Sequence, residues 1–341
     1  MSLQTTWFIL IGVLWSGFFV LEGFDFGVGM LTPLIGRDIS ERSTLKETTG
    51  PFWDGNEVWL IVAAGATFAA FPDWYATMFS AYYLPLLVVL AALILRATGT
   101  EYRDRRDSDR WRTAWDWVIA GSCLVAPLLL GIVLGGLLSG LPIDADHEFT
   151  GGFVDLVQPY ALLTGVTFLG LSLLQGAAFL RLRTTDALQN RAGVTIRRTS
   201  IVVVVLLCAQ LAWTTAVDPT DTVIPGPWAW LAVTAAVAAA IVAHEHRHEG
   251  WAFALSSAAV AFTMANLFAT LYPNTMVSTT SAADSLTTEL SSGSYALTLM
   301  TIVAAVMVPV VLLYTAWNYW VFRQRVRPRV SGPPADEATN V

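Results

Sequence analysis

The sequence predicts an all-α integral membrane protein of nine transmembrane helices, N-terminus outside and C-terminus cytoplasmic. Three observations predict it. Hydrophobic residues make up 55% of the 341 and charged residues only 13%, against about 25% charged in a soluble domain. Nine apolar stretches recur, most of them approaching the roughly 20 helical residues that a hydrocarbon core of about 30 Å requires. Nine crossings then put all nineteen Lys and Arg on one face, in segments 37–46, 96–112, 181–198, 244–249 and 323–329. The opposite face carries acidic loops at Asp73, 144–155, 218–221 and 284–289. Cytoplasmic loops hold the excess of Lys and Arg, so the basic face is cytoplasmic. One missed span would scatter these charges, so they also check the helix count.

The predicted spans are 7–35, 58–71, 75–96, 114–139, 159–180, 200–217, 228–243, 251–272 and 295–322. The first has no basic residue before it and is too long for the apolar core of a signal peptide, so it is retained. The second is short and is expected to begin near Trp53, with Asp54 as N-cap. The sixth and seventh are marginal in length but uncharged inside. The 96–112 segment mixes Glu101, Arg103, Asp104 and further charges, and reads as a helical hairpin tip at lipid headgroups. Loop 140–156 holds His147, and loop 273–294 is polar and rich in Ser and Thr.

Residues 1–322 form a single polytopic membrane domain on this reading, and 323–341 a basic, then disordered, cytoplasmic tail. Arg323, Arg325, Arg327 and Arg329 are placed to grip the anionic leaflet. Tryptophans at span ends, among them Trp7, Trp74, Trp228, Trp251 and Trp320, suit an interfacial belt. A weak internal similarity links 76–86 with 298–310, each after an aromatic-Pro pair (Phe71-Pro72 and Tyr272-Pro273), and suggests two related bundles.

Net charge of −7 argues against nucleic acid. Cys123 and Cys208 lie within spans and read as small apolar filler. His147, His244, His246 and His248 all fall in loops. Haem in a membrane bundle takes His, Met or Cys ligands, and Met30, Met78, Met264 and Met300 read as packing, so the chain is expected to bind no haem itself. The run His244 to Glu249 matches neither helical zinc spacing and reads as a solvated turn.

Ionisable groups at membrane depth are costly and are functional by default. Span 1 carries Glu22 and Asp25, three apart and so on one helix face, with Gly23, Gly27 and Gly29 allowing close approach of another backbone. At about 1.5 Å per residue from Trp7, Asp25 falls near the inner third of the bilayer. Span 2 opens with Asp54 and Glu57, and Arg96 closes span 3, followed by Glu101. Topology alone therefore gathers Glu22, Asp25, Asp54, Glu57, Arg96 and Glu101 in one half of the first three helices. Two readings stand side by side: a proton path from the cytoplasm, and an inert cap with a buried salt bridge from Asp25 or Asp54 to Arg96.

Gly23-Phe24-Asp25-Phe26-Gly27-Val28-Gly29-Met30-Leu31-Thr32 and Trp53-Asp54-Gly55-Asn56-Glu57-Val58-Trp59-Leu60-Ile61 resemble subunit II of the cytochrome bd quinol oxidases. So do Arg110-Trp111-Arg112 with Trp115-Asp116-Trp117, and Gln175-Gly176-Ala177 with Arg183-Thr184. Trp251-Ala252-Phe253 with Ser256-Ser257, and Leu312-Leu313-Tyr314-Thr315-Ala316-Trp317, continue the match in family order over essentially the whole chain. The resemblance implies two four-helix bundles plus one extra helix in a bacterial inner membrane. It also implies a partner, subunit I, that holds haem b558, haem b595 and haem d, with quinol and dioxygen as substrates of the complex.

On this resemblance the chain scaffolds subunit I and contributes a cytoplasmic proton path. Asp54 is the foremost candidate, Asp25, Arg96 and Glu101 stand at corresponding positions, and Trp59 faces the partner or an oxygen-access path. A structural quinone in this subunit and a small single-helix accessory subunit are both admitted. Glu57 stands where some relatives carry Gln, and Glu101 where some carry Asp. The outside loop between spans 6 and 7 is short compared with some relatives. The alternative function is a free-standing, proton-coupled secondary transporter.

Overall fold

The structure, a computed structural model, describes residues 2–217, 227–242 and 248–327. Asp218, Asp221, His244, His246, Arg247 and the tail that includes Arg329 lie outside the described residues. The helices are α1 (Leu3–Ile35), α2 (Ile39–Thr49), α3 (Trp53–Ala70), α4 (Pro72–Ala81), α5 (Tyr83–Tyr102), α6 (Asp109–Ser139), α7 (Phe153–Leu156), α8 (Pro159–Arg183), α9 (Asp186–Val217), α10 (Pro227–Val242), α11 (Glu249–Leu271) and α12 (Ser294–Val321). Strands β1 (Asn274–Met276) and β2 (Leu286–Thr287) precede α12.

Seven of the described helices, α1, α5, α6, α8, α9, α11 and α12, are long and apolar enough to cross a membrane. The other two predicted spans correspond to α3, of 18 residues, and α10, of 16. The predicted span 75–96 is corrected: it is two helices broken at Tyr82, the second running on to Tyr102. Pro85 has no N–H for the Ala81 carbonyl, and its ring crowds that turn. The basic segment after span 1 holds α2. Its Asp38 side chain caps the helix by accepting from the Glu41 N–H at 2.8 Å, the first half of a capping pattern whose Glu41 falls three residues on.

Helix α1 is the axis. It packs against α3, α6, α8 and α11, and from Glu22 to Pro33 every residue is buried. Such crossings need small residues, because apolar lipid tails offer no hydrophobic drive for helix association. At the α1–α8 crossing a Cβ on Gly27 would stand 2.7 Å from the Gly176 Cα. At the α6–α8 crossing a Cβ on Gly131 would stand 2.7 Å from the Gly165 Cα. Helices α8, α9, α10 and α11 form a second set of neighbours. Helix α12 is peripheral, with Leu297 its one buried residue. Polar contacts tether it at both ends: Trp7 Nε1 donates to Leu297 O at 3.1 Å, and Asn318 Nδ2 to Pro51 O at 3.1 Å.

Loop 273–294 carries defined structure: β1 and β2 pair antiparallel, and the segment grips the turn after α6 through Leu141 N to Val277 O at 3.0 Å and Ser278 Oγ to Ile143 O at 2.8 Å. One expectation, the tryptophan belt, is corrected in part. Trp7 and Trp74 are core residues, 4% and 1% exposed, because α12 and Phe8 respectively pack over them. Trp228, Trp251 and Trp320 are exposed, as a belt requires.

Gly176→Val tests the crossing. Its Cβ would meet the Gly27 Cα at 2.5 Å, a backbone atom that cannot rotate away. Overpacking of this kind costs about 1–3 kcal/mol even where side chains can yield. The variant is expected to lose most of its monodisperse yield in detergent, measured by size-exclusion chromatography, whereas Gly55→Ala, with open space around its Cβ, keeps it.

Candidate functional site

Four of the six charged residues gathered by the sequence meet in the structure. Glu22 is wholly buried, and Asp25 and Arg96 are each 4% exposed. Helix α5 brings the Arg96 guanidinium between α1 and α3, where it pairs with Glu22 and bonds Glu57 Oε2 at 2.8 Å. The same guanidinium lies 5.0 Å from the Phe26 ring centroid and 5.7 Å from that of Trp53, close enough for cation–π attraction. Asp25 is not its hydrogen-bonded partner. Asn56 Nδ2 donates to Asp25 Oδ2 at 2.7 Å, and Tyr319 OH donates to Asn56 Oδ1 at 3.2 Å. Of the two readings, the buried salt bridge is present but with other partners: Glu22 and Glu57, not Asp25 or Asp54, pair with Arg96, because the rotation of α1 and α3 turns those two toward it.

Asp54 and Glu101 stand apart and are exposed. Asp54 is not the N-cap: Phe52 holds that position and Asp54 falls in the first turn of α3, since the chain already turns through the Phe52 N to Thr49 O bond of 2.9 Å. Trp59 is half-buried. Its ring would meet a Cβ on Gly17 at 2.9 Å, and it lines a groove between α3 and α12 with Met307, Val311 and Tyr319.

A second ionic network lies next to the cluster, around α2. Arg103, wholly buried, donates through Nε to Asp116 Oδ1 at 2.5 Å and through Nη1 to Ser43 Oγ at 3.0 Å. Arg42 approaches Asp116 Oδ2 at 3.6 Å, and Lys46 Nζ bonds Asp104 Oδ2 at 2.8 Å. Arg191 of α9 pairs with Glu41 and donates to Ile35 O at 2.7 Å. Burial raises the Glu41 carboxyl, but hydrogen bonds from Arg191 and from the Arg37 N–H outweigh it and hold Glu41 below the usual glutamate range. Helix α2 is thus pinned across the base of α1, α6 and α9.

Sequence reasoning missed Asn56, Tyr319, Asp116 and Arg103 as site residues. Asn56 had a signal: it is an amide at membrane depth beside two acids. Asp116 had one too, an acid flanked by Trp115 and Trp117. Arg103 sat in a run of alternating charge that reads as solvated, and nothing local marks it as buried.

Chemically, two carboxyl groups share one guanidinium and a third, Asp25, is held beside them by Asn56. Buried carboxylates are tolerated when paired and hydrogen-bonded. One cation against three acids leaves the cluster with a place to hold a proton.

The family model described as cytochrome bd terminal oxidase subunit II matches residues 3–322. The chain is 43% identical over 329 residues to the cytochrome bd ubiquinol oxidase subunit 2 of Bacillus subtilis, covering 95% of this chain and 97% of that one. It is 36% identical over 354 residues to the cytochrome bd-I ubiquinol oxidase subunit 2 of Escherichia coli, covering 93% of each. Its fold superposes on a chain of the bd oxidase from Geobacillus thermodenitrificans with a TM-score of 0.72 at 16% identity, covering 94% of this chain and 97% of that one.

Arg96→Met strips the counter-ion from the buried acids and is expected to destabilise by about 3–5 kcal/mol. Adding Glu22→Gln removes one orphaned charge and should return a large part of that loss. Thermal unfolding in detergent measures both. Additive losses would contradict the ion-pair geometry.

Proposed function

We infer that this chain, which belongs to the cytochrome bd terminal oxidase subunit II family, partners a haem-bearing subunit I and feeds it protons from the cytoplasm. The complex so formed is a quinol:dioxygen oxidoreductase of a bacterial membrane. Supporting the division of labour, the sequence places no His in any predicted span, and haem in a membrane bundle is ordinarily held by axial ligands such as His. Haems b558, b595 and d are accordingly assigned to subunit I, which carries out the electron transfer and the reduction of oxygen.

The nine-span arrangement, with α3 and α10 as the two short crossings, is favoured by the placement of all nineteen basic residues on one face. The first bundle comprises the spans from α1 to α6 and the second α8 to α11, with the peripheral α12 as the extra helix.

One observation carries the proton reading: Glu22 and Glu57 pair with Arg96 between α1, α3 and α5, and Asp25 is held by Asn56 in the same buried cluster. Such groups at membrane depth mark ion and proton routes. Asn56 and Tyr319 orient Asp25 from α3 and α12. The Glu57 side chain, 23% exposed, links the cluster to the surface, and Asp54 lies one turn away on the same face of α3. Asp54 and Glu101 are then the transfer points toward subunit I. Quinol oxidised near the outer face releases its protons there, and the protons that make water come from the cytoplasm. A field therefore builds without a pump.

Purification of the chain from its native membrane in mild detergent is expected to bring down one large partner with haem b and haem d bands in the reduced-minus-oxidised spectrum. In that complex Asp25→Asn and Asp54→Asn are each expected to slow oxygen consumption by about tenfold or more, within the range of lost proton-transfer groups, with haem content unchanged. Full turnover in both variants would leave this chain a scaffold only.

A further inference from the structure

Three of the basic segments meet where α8 ends. Arg181 and Arg183 close that helix and are only 4% and 5% exposed. Arginines at the end of a span ordinarily carry their charge out to water on long stems, and these two do not. The Nε of each is buried without a hydrogen-bond partner, and among the described residues neither guanidinium is ion-paired. Arg183 has aromatic faces instead: its Cζ lies 5.6 Å from the Phe52 ring centroid and 5.9 Å from that of Phe179. Ring faces attract a cation, but they replace only part of the water that burial removes.

The surroundings add positive charge. Arg197 of α9 repels Arg181 through space, and Glu249 of α11 attracts it. Glu249 is already engaged, with Arg325 Nη2 3.6 Å from its Oε2 and Gln189 Nε2 donating to its Oε1 at 3.3 Å. The segment after α12 is drawn over the end of α8 by the Val326 N–H, which donates to Arg183 O at 2.8 Å. That contact brings Arg325, its side chain 41% exposed, to the same place. Asp186, further along the chain, is exposed and forms no ion pair among the described residues. Trp251 follows Glu249 and Trp320 precedes Arg325, and both indoles are exposed, as at headgroup level in a membrane.

We propose that this cluster holds the phosphate of an anionic phospholipid, with Arg183 and Arg325 at its centre and Arg181 and Arg197 raising the local positive potential. Guanidinium meets phosphate through paired, charge-assisted N–H···O bonds, and basic pockets at the ends of spans hold acidic headgroups. The phosphate supplies the counter-charge that the protein withholds from Arg183. A lipid suits the place better than a free ion, because the site lies at the end of an apolar span between exposed indoles, where acyl chains can run on beside the helices. A bound headgroup would tie the end of α8 to the segment after α12, and so fasten the peripheral helix to the second set of helices. The site is independent of the proton-delivery reading.

The test uses the whole complex purified from its native membrane, stripped of lipid in detergent and titrated with phosphatidylglycerol. Phosphatidylcholine, which has a phosphate but no net charge, is the comparison. Native mass spectrometry reads the bound lipid, and thermal unfolding reads its effect. The parent is expected to hold phosphatidylglycerol in preference to phosphatidylcholine and to unfold at a higher temperature with it. Arg183→Gln should bind phosphatidylglycerol about tenfold more weakly, the loss of one charge-assisted contact, with Arg183→Lys in between. Arg325→Gln, at an exposed position where folding is not at stake, should weaken binding several-fold. Parental affinity in Arg183→Gln, or in Arg325→Gln where the former does not assemble, overturns the site, as does equal binding of the two lipids. Inorganic phosphate that displaces the lipid at millimolar concentration and stabilises equally would make this a free-anion site and overturn the lipid assignment.

Discussion

One guanidinium organises this molecule. Arg96 is the cation that Glu22 of α1 and Glu57 of α3 share, so three helices are committed to one point. Desolvating an ion costs several kcal/mol unless partners replace its water. Two acids in contact, with the Phe26 and Trp53 rings beside them, supply that replacement. Any arrangement that moved α5 away would leave buried acids uncompensated, so the ionic cluster fixes the register of α1, α3 and α5 more firmly than apolar packing between smooth helices could.

The same constraint explains why α1 is so heavily buried. A helix carrying Glu22 and Asp25 cannot face lipid at that depth, so neighbours must close around it. Close approach needs small residues, and Gly27 against Gly176 lets α8 come backbone to backbone. Gln175, one residue earlier on α8, reaches back to Val20 O at 2.7 Å and to Ser257 of α11 at 2.8 Å. The polar site and the tightest helix crossing are therefore two sides of one segment of α1, and the second set of helices is joined to the first through it.

Function follows from where this cluster opens. Above, Asn56 and Tyr319 connect Asp25 to the peripheral α12. Below, α2 is held against the bundle by ion pairs from α6 and α9. The proposed oxidase role places Glu57 and Asp54 between this cluster and the partner that reduces oxygen. On that proposal the cluster hands protons on toward the exposed face of α3.

The all-helical membrane fold and the family were legible in the sequence, because membrane burial leaves a strong one-dimensional signal: long apolar runs separated by charged segments. Glu22, Asp25 and Arg96 were legible as candidate residues for the same reason, since ionisable residues within apolar runs stand out against their neighbours. The tertiary structure alone decided the pairings. Spacing along α1 and α3 leaves Glu22, Asp25, Asp54 and Glu57 equally able to meet Arg96, and only the rotation of each helix about its axis put Glu22 and Glu57 against the cation, Asp25 against Asn56 and Asp54 outside. It alone buried Arg103 and Asp116 as well. In a short segment of mixed charge, sequence cannot tell a solvated side chain from a buried ion pair, because that difference lies in the neighbours brought by α2 and α6.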